Sequence, residues 1–233
     1  VGHLLYARFW HKVLFDLGHV GTPEPFQRLF HQGLITAYSF QRADKTLCPN
    51  DEVEEIAEGR FIEKATGAAL TPVVAKMSKS LKNVVNPDEI IAQFGADTFR
   101  LYEMYMGPLE ASKPWNTRDM VGLFRFLQRV WRNMIDEQTG RCLAADAAPD
   151  TPTLKLLHRT IAGVRKDIEG ISFNTAIAKL IEFNNHLSGV VQGSGAIPRS
   201  VAEPLTLLLA PFAPHLAEEL WQRLGHTRTL ADE

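Results

Sequence analysis

From Thr117 onward the chain carries four long stretches of helical periodicity, at about 117–137, 152–169, 173–192 and 199–225, and this run restricts the fold more than anything else in the sequence. The joining segments, 140–149 and 193–198, are short, so consecutive helices must turn back and pack on one another. Within the last stretch, Pro211 and Pro214 lack the N–H that a continuous helix needs, and a break is expected there. Thr151-Pro152 and Ser172 are start signals, while Gly170 and Gly225 are stops. An α-helical bundle follows.

Ahead of Thr117 the pattern is mixed. Leu4, Leu5, Phe9, Val13 and Leu14 lie at helical spacing and Gly18 can end that helix in a left-handed cap. Pro23 and Pro25 predict a short helix around Phe26–His31, stopped by Gly33, and Leu34–Phe40 reads as a strand. Short strands are expected at Arg60–Glu63 and Thr71–Ala75 around a Thr66-Gly67 turn. Asn86 can cap a helix that begins at Pro87, carries Asp88 and Glu89 in its first turn and closes at Gly95. A further helix should run from Ala96 to Met106 and end at Gly107-Pro108. The expected fold class is therefore mixed α/β followed by all-α, with domains at 1–112 and 113–233.

Several function classes are excluded by composition. A chain of 233 residues with 45% hydrophobic and 22% charged residues can bury a core and is not a disordered polyelectrolyte. No window approaches 18 uninterrupted apolar residues, so no membrane span is expected. A formal charge of −2 rules out gripping a polyanion by bulk charge, leaving local basic patches. Cys48 and Cys142 stand 94 positions apart and cannot supply a disulfide framework or a four-cysteine zinc site, which fits a reducing cytoplasm. His11 and His31 lack companions at ligand spacing, and no bound metal is expected. The acidic run Asp51–Glu58 predicts a solvated face, Asn184-Asn185-His186 a polar helix face, and Trp131 and Trp221 core packing. Neither a P-loop nor a Gly-x-Ser-x-Gly turn is present.

One segment carries chemistry. Lys76-Met77-Ser78-Lys79-Ser80 follows an apolar strand and precedes the capped helix, so that with Lys82 three lysines fall within seven residues on a loop of small residues. Ammonium groups, serine hydroxyls and free backbone N–H groups together suit a polyphosphate.

The same five residues are identical to the second signature of class I aminoacyl-tRNA synthetases. His3-Leu4-Leu5-Tyr6-Ala7-Arg8-Phe9-Trp10-His11-Lys12 and Gly95-Ala96-Asp97-Thr98-Phe99-Arg100-Leu101-Tyr102-Glu103 resemble segments of the leucyl-tRNA synthetases on either side of that signature. Pro211–Trp221 resembles a recurrent piece of the anticodon-binding bundle in the leucine, isoleucine and valine enzymes. The resemblance implies the C-terminal part of a Rossmann-like catalytic fold, then an anticodon-binding bundle, in a monomeric cytoplasmic parent that joins leucine to tRNA(Leu) using ATP with Mg²⁺. It implies Lys79 as the residue that holds ATP, Lys76 as its assistant, Ser78 and Ser80 as shaping the loop, Met77 as its apolar anchor, and His3 near the amino-acid pocket. The family's first signature, His-x-Gly-His, does not occur in the chain, so half of that active site is expected elsewhere and the chain alone is expected to be inactive. Two rivals remain: an isoleucyl- or valyl-tRNA synthetase fragment, and a non-catalytic RNA-binding module.

A second candidate surface lies on the helix from Thr117. Leu123, Leu127, Val130, Trp131 and Met134 form an apolar stripe, while Arg125, Arg129 and Arg132 recur on another face with Arg118 two turns back. Only Asp119 and Asp136 are at hand to balance them. Guanidinium groups at this spacing suit successive RNA phosphates, and the resemblance puts this helix beside the inner corner of the tRNA.

Overall fold

The computed structural model describes residues 2–233, which divide into one compact unit ending at Gln32 and a second spanning Gly33–Glu233. In the first unit, helix α1 (Gly2–Asp16) ends where expected: Gly18 takes φ +75°, and the N–H of His19 reaches back to the Leu14 carbonyl at 2.9 Å. No residue of α1 is buried within the described molecule. Glu24 accepts from Arg8 and pairs with Lys12, and the hydrogen bond from Arg8 is the main cause that pulls its carboxyl down to about 2. The short helix expected at Phe26–His31 does not form; the segment has no regular structure, because two prolines only two residues apart break the chain before a turn can nucleate.

The second unit opens with a sheet. Strands β1 (Ile35–Gln41), β2 (Leu47–Cys48), β3 (Val53–Ala57), β4 (Arg60–Glu63) and β5 (Ala69–Lys76) stand in the order β2-β1-β5-β4-β3, all antiparallel, and β6 (Lys113–Pro114) adds to β1 in parallel. The register pairs Thr36 with Lys76 and Phe40 with Pro72, which fixes where β5 stops. β2 and β3 were not expected. The acidic run spans the turn before β3, the strand itself and the turn after it; Asp51, Glu52, Glu54, Glu55 and Glu58 all face solvent, so this edge strand is kept soluble by charge.

Helices α2 (Pro87–Phe94) and α3 (Ala96–Tyr105) follow. The Asn86 side chain accepts from the Asp88 N–H at 3.1 Å, and Gly95, at φ +84°, separates the two helices. The bundle comprises α4 (Thr117–Met134), α5 (Thr151–Glu169), α6 (Phe173–Ser194), α7 (Arg199–Leu209) and α8 (Pro214–Arg223). The break expected near Pro211 and Pro214 separates α7 from α8. The two loops expected at 140–149 and 193–198 are stitched to each other by a two-residue parallel pairing of β7 (Ala144–Ala145) with β8 (Ile197–Pro198).

Phe126, Phe183, Leu180, Leu187, Leu205 and Phe212 are almost wholly removed from solvent at the centre of the bundle. Leu101 and Tyr102 of α3, together with Trp115, join the same apolar cluster, so residues on both sides of 112/113 share one core. Tyr102 seals the junction: its hydroxyl accepts from the Asn116 N–H and donates to the Asn116 carbonyl, both at 2.9 Å. Trp221 is buried and stacks on His226 at 3.5 Å, whereas Trp131 is only half-buried under the Arg223 guanidinium. The expected polar face at 184–186 is corrected. Asn184 is fully buried and accepts from Asn133 Nδ2 at 2.9 Å, and His186 bonds Thr153 Oγ1 at 2.7 Å, so only Asn185 faces solvent. Amides at helical spacing satisfy one another inside a bundle as readily as they meet water.

Candidate functional site

The Lys76–Ser80 segment begins where β5 ends and is fastened by one side chain that the sequence analysis did not single out. Asn83 is buried, accepts from the Ser78 N–H at 2.8 Å, and donates to Ser39 Oγ on β1 at 2.8 Å and to the Lys76 carbonyl at 3.3 Å. A single amide thus ties the start and the middle of the loop to the sheet. Ser78 Oγ accepts from the Leu81 N–H at 3.2 Å and lies 2.9 Å from Ser80 Oγ, while the Leu81 carbonyl accepts from the Asn50 N–H. Lys82 takes φ +51°, an uncommon left-handed conformation for a residue with a Cβ. Met77 packs against the main apolar cluster.

The charges are treated differently from the backbone. Lys76, Lys79 and Lys82 are exposed, and among the described residues none of them has a carboxylate within 4 Å. Lys79, Lys82 and Val84 line a shallow cavity of about 320 Å³. Three ammonium groups on a braced loop without a counter-ion form an electropositive surface that an anion can neutralise. The hydroxyls of Ser78 and Ser80 add donors beside it.

On α4 the apolar stripe is buried as expected at Leu123, Leu127, Val130 and Met134. Arg118, Arg125 and Arg132 are exposed and Arg129 is half-buried with its Nε lacking a partner. Among the described residues none of the four arginines has a carboxylate within 4 Å. Asp136, one of the two acids available to balance them, is turned to the following loop, where hydrogen bonds from Thr139 first and then from the Gln138 N–H hold it below the usual carboxylate range. The loop and the arginine face are thus two separate unpaired cationic surfaces. His3 is exposed on α1, in the first unit.

Among the described residues one group of metal-type donors stands together, Cys48, Glu52 and Glu63, with ligand atoms within 4.8 Å of one another. The Arg42 guanidinium already supplies positive charge there, bonding Glu63 Oε1 through Nε at 2.9 Å and Nη2 at 2.5 Å. That hydrogen bond is the leading cause that holds Glu63 below the carboxylate range, and burial pushes the Cys48 thiol up. A raised thiol is a poor thiolate ligand.

Comparison with known proteins finds similarity to one class of enzymes. Residues 65–113 match the tRNA synthetases of class I (I, L, M and V), and residues 150–233 match the anticodon-binding domain of tRNA ligase. The loop-bearing segment is thus similar to class I synthetases, and the part of the bundle from α5 onward to anticodon-binding domains. More particularly, the chain is homologous along its length to leucine–tRNA ligases. It is 54% identical to that of Streptomyces avermitilis over 99% of this chain and 23% of the relative, and 55% identical to that of Mycobacterium leprae over 99% and 24%. A LeuRS of Agrobacterium radiobacter K84, solved as a ternary complex with tRNA and LeuAMS, superposes with a TM-score of 0.67 at 30% identity over 99% of this chain and 27% of that one. The chain thus spans about a quarter of the length of the ligases it matches.

Proposed function

We propose that this chain supplies the pyrophosphate-side loop and the tRNA-gripping bundle of a leucine–tRNA ligase, which activates leucine with Mg²⁺–ATP and passes it to tRNA(Leu). The observation that carries the proposal is the braced loop with three unpaired lysines. In the first step a leucine carboxylate oxygen attacks the α-phosphorus of ATP and pyrophosphate leaves. Negative charge grows on the bridging oxygen and on the departing β- and γ-phosphates. Lys79, assisted by Lys76, meets that charge, and because the charge is largest in the transition state the interaction raises rate more than binding. Asn83 keeps the loop's backbone in place, so little reorganisation is needed when the phosphates arrive.

In the second step a hydroxyl of the terminal adenosine of tRNA attacks the acyl carbon and adenylate leaves. The bundle's part is to hold the RNA. Arg118, Arg125, Arg129 and Arg132 contact phosphates and read no bases. In this reading residues 1–112 serve the chemistry and 113–233 the RNA, and His3 lies at the leucine pocket.

The test is Lys79→Ala in the complete ligase. Leucine-dependent exchange of pyrophosphate into ATP should fall by about 10²-fold or more, about 2.7 kcal/mol of transition-state stabilisation, with a smaller change in the KM for leucine. Unchanged turnover with only a weaker KM would make the loop a bystander. His3→Ala should do the reverse, raising the leucine KM more than it lowers turnover. The 233-residue chain by itself should give no exchange.

A further inference from the structure

Helix α8 begins without a cap of its own. Its N-cap position is Ala213, which has no side-chain acceptor, so the first-turn N–H groups must find a partner elsewhere. They find it on α3. The buried carboxylate of Asp97 accepts from the Leu216 N–H at 2.7 Å, from the His215 N–H at 3.4 Å and from His215 Nδ1 at 2.8 Å. One turn further along α3, Arg100 donates to the Pro211 carbonyl at 3.0 Å. The same helix therefore grips the α7–α8 corner on both sides, across more than a hundred residues of sequence.

The position of α3 gives this joint its meaning. Only Gly95 separates it from α2, and α2 starts at Pro87, with six residues between it and Ser80, so Asp97 sits at the end of a short path from that loop. Phe94 of α2 also packs edge-on to Phe124 of α4 at 5.9 Å. The loop and the bundle are thus held at a fixed offset by a carboxylate placed where a helix N-terminus favours negative charge.

We propose that Asp97 is a positioning residue for acyl transfer: by capping α8 it sets the bundle, and the RNA it holds, at the offset from the lysine loop that brings the acceptor end to the activated leucine. The inference rests on the function proposed above. Activation draws on the loop and not on the bundle, whereas transfer needs loop and bundle in register, and misplacement by about 1 Å can cost about 10²-fold in rate. Asp97 touches neither substrate.

The experiment uses the complete ligase and separates the two steps. Asp97→Ala should leave leucine-dependent pyrophosphate exchange within about threefold of the parent. The single-turnover rate of leucine transfer from preformed adenylate to tRNA(Leu) should fall about tenfold or more, with tRNA binding changed less than threefold. Asp97→Asn keeps an acceptor oxygen for the Leu216 N–H and should restore most of the transfer rate. Arg100→Ala, which removes one exposed contact and should fold whatever Asp97→Ala does, should slow transfer about threefold with exchange unchanged. Transfer at the parent rate in folded Asp97→Ala would overturn the proposal. So would exchange and transfer falling in proportion in either Ala variant, as simple destabilisation predicts. Absence of exchange in the unsubstituted ligase would overturn the function itself.

Discussion

The lysine loop and the helical bundle are held in opposite ways. Around Lys76–Ser80 the fastening is polar and sparse: Asn83, Ser39, Ser78 and Asn50 fix the backbone, and the ammonium groups are left without partners. In the bundle the fastening is apolar and dense, with Phe126, Phe183, Leu180 and Leu205 fully enclosed. Under the proposed function, a loop that meets charge during the reaction cannot neutralise its lysines in advance, since an internal ion pair would have to be broken first. A frame that keeps RNA at a fixed offset would likewise gain rigidity from close packing. The contrast also appears on α4, where arginines stand unpaired on a helix whose other side is core.

The contrast predicts unequal sensitivities. Phe183→Ala should cost about 3–5 kcal/mol of unfolding free energy in the 233-residue chain, because a fully enclosed ring leaves a cavity that rigid neighbours fill poorly. Urea unfolding measures it, and a loss under about 1 kcal/mol would mean the bundle core is far looser than its burial indicates. Asn83→Ala should cost about 1–3 kcal/mol, since Ser39 Oγ and the Ser78 N–H would lose their shared partner. Faster amide exchange confined to residues 76–83 would place that loss in the loop, whereas a uniform change would deny Asn83 its bracing role.

Much of this frame was legible in the sequence because periodicity and caps are local. The helices from 117 onward, the break near Pro211 and Pro214, the Asn86 cap and the strand before Lys76 all follow from side chains within a few residues of each other. What escaped was non-local. Asn83 reads as an ordinary loop amide until Ser39, 44 positions away, is brought beneath it. Its one local sign is its place in the polar pair Lys82-Asn83 between Leu81 and Val84-Val85. Asp97 reads as a first-turn acid of α3 until α8 arrives uncapped. Asn184 was misjudged for the same reason, since its partner Asn133 lies on another helix. The helix expected at Phe26–His31 failed through overvaluing proline as a start signal where two occur together.

A smaller effect should appear at the end of β4, the strand beside the sheet's edge. Glu63 is held below its ordinary range chiefly by the hydrogen bond from Arg42, so its stabilising contribution is complete above the unfolded value, near 4.3, and fades as pH falls through the lower folded value. Glu63→Gln should therefore lower Tm at pH 7, with the gap to the parent closing below about pH 4. A gap that widened on acidification would contradict the Arg42–Glu63 pairing.

The division of labour between loop and bundle is tested most directly by comparing Lys79→Ala with the double variant Arg125→Ala/Arg129→Ala in the complete ligase, each assayed for pyrophosphate exchange and for tRNA(Leu) binding across a salt series. Lys79→Ala should lose exchange by about 10²-fold and bind tRNA normally. The double variant should keep exchange, bind tRNA more weakly whether or not the anticodon is altered, and show a log K against log salt slope reduced by up to about 0.7 to 0.9 per lost contact. Exchange lost in both variants, or tRNA affinity and salt slope unaltered in a folded double variant, would contradict the separation of the two cationic surfaces.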